Sequence, residues 1–222
     1  YALALAGALA DAGLAPGALS LHAGFFGAEP WSEALRGELE SRLGIRAFDC
    51  YGLTEVLGPG VAFECEARRG LHVNEDHFIP EIVDPATLAP RAPGEEGELV
   101  LTTIAKEGFP LVRYRTGDLT ALDPSPCPCG RTLARMARIR GRIDDMINLG
   151  DVKVFPSQVE EVVAATEGVE PHYELIVDRA DGIDTLEVRV EISEDLHGGD
   201  EVRALEALKE RLARRLAASL AI

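Results

Sequence analysis

Four short segments set glycine beside hydroxyl, carboxylate or guanidinium groups: Gly27-Ala28-Glu29-Pro30, Tyr51-Gly52-Leu53-Thr54-Glu55, Tyr114-Arg115-Thr116-Gly117-Asp118 and Gly141-Arg142-Ile143-Asp144-Asp145. Each falls where a strand should end, and in α/β sheets the carboxyl ends of strands are where ligands bind. Read as plain structure, Gly27 and Gly52 relieve turns, Thr54 caps a helix, and Asp118 and Asp144 close turns or pair with Arg115 and Arg142. The functional reading rests on all four occurring together, in this order. A second set is built on sulfur. Cys127-Pro128-Cys129 lies in a proline-rich loop, with Cys65 and then His72 upstream. Three thiolates and one imidazole make a closed tetrahedral set suited to structural Zn²⁺. The spacing is not the usual Cys-x-x-Cys, and the alternative is reduced thiols with Cys65 as a small buried apolar residue. His77 is a second candidate for the fourth ligand, while His22, His172 and His197 have no partners by spacing. Cys50 reads as a packing residue.

The elements that would carry these groups follow from the apolar pattern. Ala2–Leu14 fits a helix stopped by Pro16-Gly17, and Leu19–Phe26 is an apolar run of strand length. Ser32 caps a helix with Leu35, Leu39 and Leu43 on one face, Gly44 ends it, and Ile45–Tyr51 supplies another strand. Strand, helix and strand with short connections predict a parallel sheet over residues 1–57. From Gly58 to residue 140 short strands (Glu81–Asp84, Glu98–Ile104) and Pro/Gly turns predict an antiparallel β subdomain that holds the Cys-Pro-Cys loop. Residues 141–222 read as a small α+β domain. It has a strand at Val152–Phe155, a helix capped by Ser157, strands at Glu174–Val177 and Leu186–Ile192, and a final helix striped by Leu205, Leu208, Leu212 and Leu216. The fold class is thus α/β plus a β-rich subdomain and a small α+β C-terminal domain.

Composition narrows the function. With 22 basic against 38 acidic residues in 222, the formal charge is −16, which repels polyanions and argues against nucleic-acid binding. No stretch reaches the ~18–20 apolar residues of a membrane span, so a soluble, cytoplasmic protein is expected. Four cysteines are too sparse for a disulfide scaffold. The chain opens on Tyr1 inside a helix pattern, so a longer polypeptide is expected.

The four glycine-bearing segments, together with Glu75-Asp76-His77-Phe78 and Val154-Phe155-Pro156-Ser157-Gln158-Val159-Glu160, resemble the phenylacetate–CoA ligase branch of the acyl-adenylate-forming ligase superfamily from about Phe26 to Ile192. Coenzyme F390 synthetases, which adenylylate a deazaflavin, look similar. The resemblance implies a fragment of an adenylate-forming ligase fold. It also implies that an aryl carboxylate is joined to ATP, with loss of pyrophosphate, and that the thiol of CoA then displaces AMP. By position, the backbone of Gly27, Ala28, Glu29 and Pro30 would line the adenine, and Tyr51 beside Gly52 would stack on it. Thr54 would bond the α-phosphate and Glu55 would hold Mg²⁺. Asp118 would accept the ribose hydroxyls, Arg142 would add positive charge, and Asp144 would be the hinge of a mobile C-terminal domain.

Two departures bear on this. The family usually has Arg-Gly where Gly150-Asp151 stands, which weakens the case for CoA binding, although Lys153 is near enough to compensate. A Ser/Thr/Gly-rich phosphate loop and a C-terminal adenylation lysine have no counterparts here. Lys209 sits inside the last helix pattern and is not assigned that role. The chain alone is therefore expected to be inactive, and a non-catalytic nucleotide-binding module stands as the other alternative. An exposed apolar face, or a homodimer covering one, is expected where the rest of such a ligase would pack.

Overall fold

A computed structural model describes residues 1–29, 31–149, 152–180, 183–193 and 201–220. Pro30, Gly150, Asp151 and His197, singled out above, lie outside the described residues. The chain divides into two compact units, Tyr1–Ile143 and Asp144–Ile222.

In the first unit, α1 (Ala2–Asp11) and α2 (Glu33–Leu43) lie beside β1 (Ala23–Phe26) and β2 (Arg46–Leu53). Ser32 caps α2 by accepting from Leu35 N–H at 3.1 Å, a bond worth ~1 kcal/mol. Leu39 and Leu43 of α2 pack with Ala6 and Ile45. β1 and β2 run parallel, as short strand–helix–strand connections require. The first strand is shorter than the apolar run Leu19–Phe26 suggests, because Leu19 and Leu21 are exposed rather than buried.

The chain then turns antiparallel through β3 (Gly58–Glu64), β4 (Leu71–Val73), β5 (Phe78–Val83), β6 (Gly97–Thr103), β7 (Tyr114–Thr120), β8 (Leu122–Asp123), β9 (Arg135–Met136) and β10 (Gly141–Arg142). One sheet has the order β1-β2-β3-β4-β9-β8 and the other β10-β7-β6-β5. A boundary at residue 57 therefore falls inside a sheet: β3 pairs with β2, and only the strand direction changes there. Val61, Ala62, Leu71 and Val73 of the first sheet share one core with Phe78, Ile82, Leu99 and Leu101 of the second. β6 is buried on both faces over Gly97–Leu101, which explains its unbroken apolar run Leu99-Val100-Leu101. β1 stands at a sheet edge, and its Phe25 is 59% exposed although it contacts Phe48 and Phe63.

In the second unit, β11 (Ile147–Leu149) pairs with β12 (Val152–Val154), followed by α3 (Pro156–Ala164), β13 (Val169–Ala180), β14 (Ile183–Ile192) and α4 (Glu201–Leu220). Leu186, Val188 and Val190 face the core and alternate with exposed residues, as the period of two demands. Leu208, Leu212, Leu216 and Leu220 form the buried stripe of α4, with Leu205 only half-buried. The start of α3 corrects one expectation. Phe155, not Ser157, is the capping residue, because Pro156 suits the first helical position and the Gln158 Oε1 accepts from Phe155 N–H at 3.0 Å. Among the described residues no helix is long and apolar enough to cross a membrane.

Candidate functional site

Tyr51, Asp118 and Arg142 come from three strands and meet at one carboxylate. Tyr51 lies near the end of β2 in the first sheet, and Asp118 lies on β7 in the second, 67 residues on. The Tyr51 hydroxyl donates to Asp118 Oδ2 at 2.6 Å. β10 pairs with β7 so that Arg142 stands opposite Asp118, and its guanidinium donates to Oδ1 at 3.1 Å. The Asp118 side chain is 10% exposed and that of Arg142 45%, so a buried carboxylate is bridged toward solvent by a fixed cation. Thr116 supports the strand locally: its Oγ1 accepts from Asp118 N–H and donates to Leu99 O. Burial, and then the neighbouring Asp118 charge, push the Tyr51 phenol far above its ordinary range, so it stays protonated and remains the donor.

The remaining nucleotide candidates stand on the connections that follow β1 and β2 or, for Gly52, near the end of β2 itself. Gly27 directly follows β1, where a Cβ would lie 2.3 Å from Cys50 O, so only glycine lets that turn rest on β2. Ala28 adopts a φ of 75°, a region rarely occupied by residues with a Cβ, and Glu29 is exposed. Gly52 is still more constrained, since a Cβ there would fall 1.7 Å from Gly58 O at a break in the β2–β3 register. Thr54 and Glu55 are exposed in the four-residue turn that follows. That turn is a β-hairpin connection, so Thr54 does not cap a helix. Lys106, from the β6–β7 loop, donates to Glu55 O at 2.9 Å and ties the two connections together. Asp144 is the first residue of the second unit.

Sequence reasoning missed a polar network around Trp31, just after the Gly27–Glu29 turn in sequence. Trp31 Nε1 donates to Asp49 Oδ1 at 3.1 Å, and Arg138 pairs with the other Asp49 oxygen at 3.2 Å. The guanidiniums of Arg36 and Arg138 lie 4.8 and 5.0 Å from the Trp31 ring centroid, a cation–π arrangement on one indole. Arg36 is itself buried and bidentate to Glu64 at 2.7 and 3.1 Å. Trp31 beside Glu29-Pro30 was the one available signal, since its N–H requires a partner when buried. A cavity of ≈ 430 Å³ opens in this region, lined by Arg68, Arg135 and Arg138 with Glu33, Glu64 and Asp123. Tyr51, Asp118 and Arg142 do not line it.

The sulfur-based set also assembles. Cys65, His72, Cys127 and Cys129 bring one ligand atom each to within 4.8 Å of all the others. The Cys65 and Cys127 sulfurs are 3.7 Å apart, and Cys129 Sγ is 3.3 Å from His72 Nε2. His72 rather than His77 completes the set; His77 is half-exposed beside Asp76. Burial pushes the Cys65 thiol up, whereas the Arg131 backbone N–H, followed by its guanidinium, draws Cys129 down to about 6.

Residues 151–222 match the family model described as AMP-binding enzyme C-terminal domain. A phenylacetate–coenzyme A ligase of Thermus thermophilus is 46% identical over 97% of this chain and 51% of its own length. Another, from Escherichia coli, is 54% identical over 79% of this chain and 40% of its own. Among solved structures, a 2-hydroxyisobutyryl-CoA ligase in the postadenylation state, in complex with an acyl-AMP, superposes with a TM-score of 0.86 at 28% identity, covering 100% of this chain and 48% of that one. The chain spans about half the length of the curated relatives it matches.

Proposed function

Because the chain belongs to the adenylate-forming ligase superfamily, we propose that it is the central and C-terminal portion of an aryl-acetate–CoA ligase. In this reading a carboxylate oxygen attacks the α-phosphorus of ATP and pyrophosphate leaves; the thiol sulfur of CoA then attacks the acyl carbon and AMP leaves. The observation that carries it is the convergence of Tyr51, Asp118 and Arg142. An aromatic face, a buried carboxylate and a fixed guanidinium at one point suit adenine, ribose hydroxyls and phosphate in turn.

Thr54 bonds the α-phosphate. Glu55, exposed in the β2–β3 turn, would hold Mg²⁺, a hard cation that suits carboxylate oxygen. Mg²⁺ supplies charge neutralisation at the phosphates. The backbone at Gly27–Glu29, whose Gly27 rests on β2 at Cys50, lines the adenine. Asp144, at the junction of the two units, is the hinge between the two half-reactions. Lys209 lies within α4 and keeps no catalytic assignment. The partners are an aryl carboxylate, ATP and CoA in the cytoplasm. The cysteine tetrad stands apart from this chemistry, and a Zn²⁺ held there would be structural. Exposed Phe25 at the β1 edge supports packing of further polypeptide there, with a second copy of the chain as the other occupant.

The test is to extend the reading frame in both directions and assay the whole polypeptide for acid-dependent pyrophosphate release over a panel of aryl acids. Release with aryl acetates is expected. Release driven only by a deazaflavin, or none at all, would replace this reading with the deazaflavin adenylylation or the non-catalytic module.

A further inference from the structure

The four metal-ligating side chains outside the nucleotide residues reach one point from separate parts of the first unit. Cys65 immediately follows β3, and His72 is the central residue of β4, paired across the hairpin with Phe63 and on its other side with Arg135 of β9. Cys127 and Cys129 come from the 124–134 connection between β8 and β9, which carries Pro124, Pro126 and Pro128. We infer that Cys65, His72, Cys127 and Cys129 form a closed structural zinc site that staples the 124–134 loop to the β3–β4 hairpin.

The distances support a tetrahedron. With Zn–S near 2.3 Å and Zn–N near 2.0–2.1 Å, tetrahedral angles put sulfur–sulfur edges at about 3.8 Å and sulfur–nitrogen edges at about 3.5 Å. The two edges seen here are 3.7 Å between Cys65 and Cys127 and 3.3 Å between Cys129 and His72.

The surroundings agree with a ligand set. His72 Nδ1 faces Leu133 O at 3.4 Å; a ring that donates from Nδ1 turns the Nε2 lone pair toward the sulfurs, the usual outer-shell arrangement of a metal-bound histidine. Three thiolates around a dication leave one net negative charge, which the Arg131 guanidinium beside Cys129 offsets. Cys65, His72 and Cys127 are buried and Cys129 is exposed, so the ion has an approach from solvent. Four protein ligands leave no open position, which makes the role structural. The staple also bears on β9, whose Arg135 bridges Asp123 and Arg69 O. Just beyond β9, Arg138 reaches Trp31 and Asp49.

The test uses the full 222-residue chain, expressed with zinc in the medium and purified without chelator. Elemental analysis should find one zinc per chain, falling below about a tenth of an equivalent in Cys129→Ser and in His72→Ala, because lost ligands cost affinity steeply. Cobalt exchanged into the wild-type chain should give tetrahedral ligand-field bands with thiolate charge transfer. Cys129 is exposed, so its substitution reports ligation in a chain that still folds, checked by circular dichroism. A wild-type chain without zinc that gives no cobalt bands and whose thiols all react freely overturns the inference. So does zinc that survives both substitutions. Neither readout involves ATP, so failure here leaves the ligase reading standing.

Discussion

At Asp118 a single carboxylate holds both a phenol and a guanidinium, and its strand position explains how. β7 is covered by β6 on one side and by the short β10 on the other, so Arg142 is delivered opposite Asp118 by backbone register. Removing the Tyr51 hydroxyl leaves a mostly buried carboxylate short of one donor. Tyr51→Phe should therefore cost about 1.5–3 kcal/mol, the range for hydrogen bonds to charged groups, read as a lower urea midpoint with an unchanged slope. Burial of the phenol, with the Asp118 charge adding to it, gives an alkaline signature. The folded phenol titrates above the ordinary tyrosine value of 10.0, so its contribution is complete below pH 10 and is lost as pH rises toward the folded value, because only the unfolded chain then releases that proton. Wild-type stability should fall faster above pH 10 than that of Tyr51→Phe; equal slopes would show that the phenol is not buried against Asp118.

Among the elements, the two ends of α2 and the β2–β3 hairpin make the sharpest contrast. Ser32→Ala removes one cap bond and should lower stability by ~1 kcal/mol. Gly52→Ala has no room beside Gly58 O, so it should break the hairpin register and unfold the first unit, seen as lost near-ultraviolet circular dichroism. The cap was legible in the sequence, because Ser32 before a leucine stripe and Gly44 after it are local signals. The alternating β14 and the leucine stripe of α4 were legible for the same reason. The pairing of β3 with β2 was not, since strand order is set by long-range contacts rather than by period. The Arg36–Glu64 pair was equally hidden: an arginine in a polar-looking helix carries no local mark of burial, and its partner lies 28 residues away. The cysteine tetrad was legible as a set of residue types, while its closure depended on β4 lying between β3 and β9.

For the molecule as a whole, two compact units, each with its own buried core residues, imply two unfolding events. The second unit is held by Val154, Val159, Val163, Leu212 and Leu216, all from within Asp144–Ile222. Leu212→Ala should destabilise that unit by about 2–5 kcal/mol and move one of two calorimetric transitions; equal movement of both would mean that the units unfold together. The ligase reading joins these units to further polypeptide at the β1 edge, and its chemistry returns to Asp118. The decisive measurement is the KM for ATP in acid-dependent pyrophosphate release by the extended polypeptide, compared between wild type and Asp118→Asn. The account predicts at least a tenfold rise, about 1.4 kcal/mol of lost binding, with the acid KM little changed. An unaltered KM for ATP would contradict it, because the carboxylate shared by Tyr51 and Arg142 would then not be where the nucleotide binds.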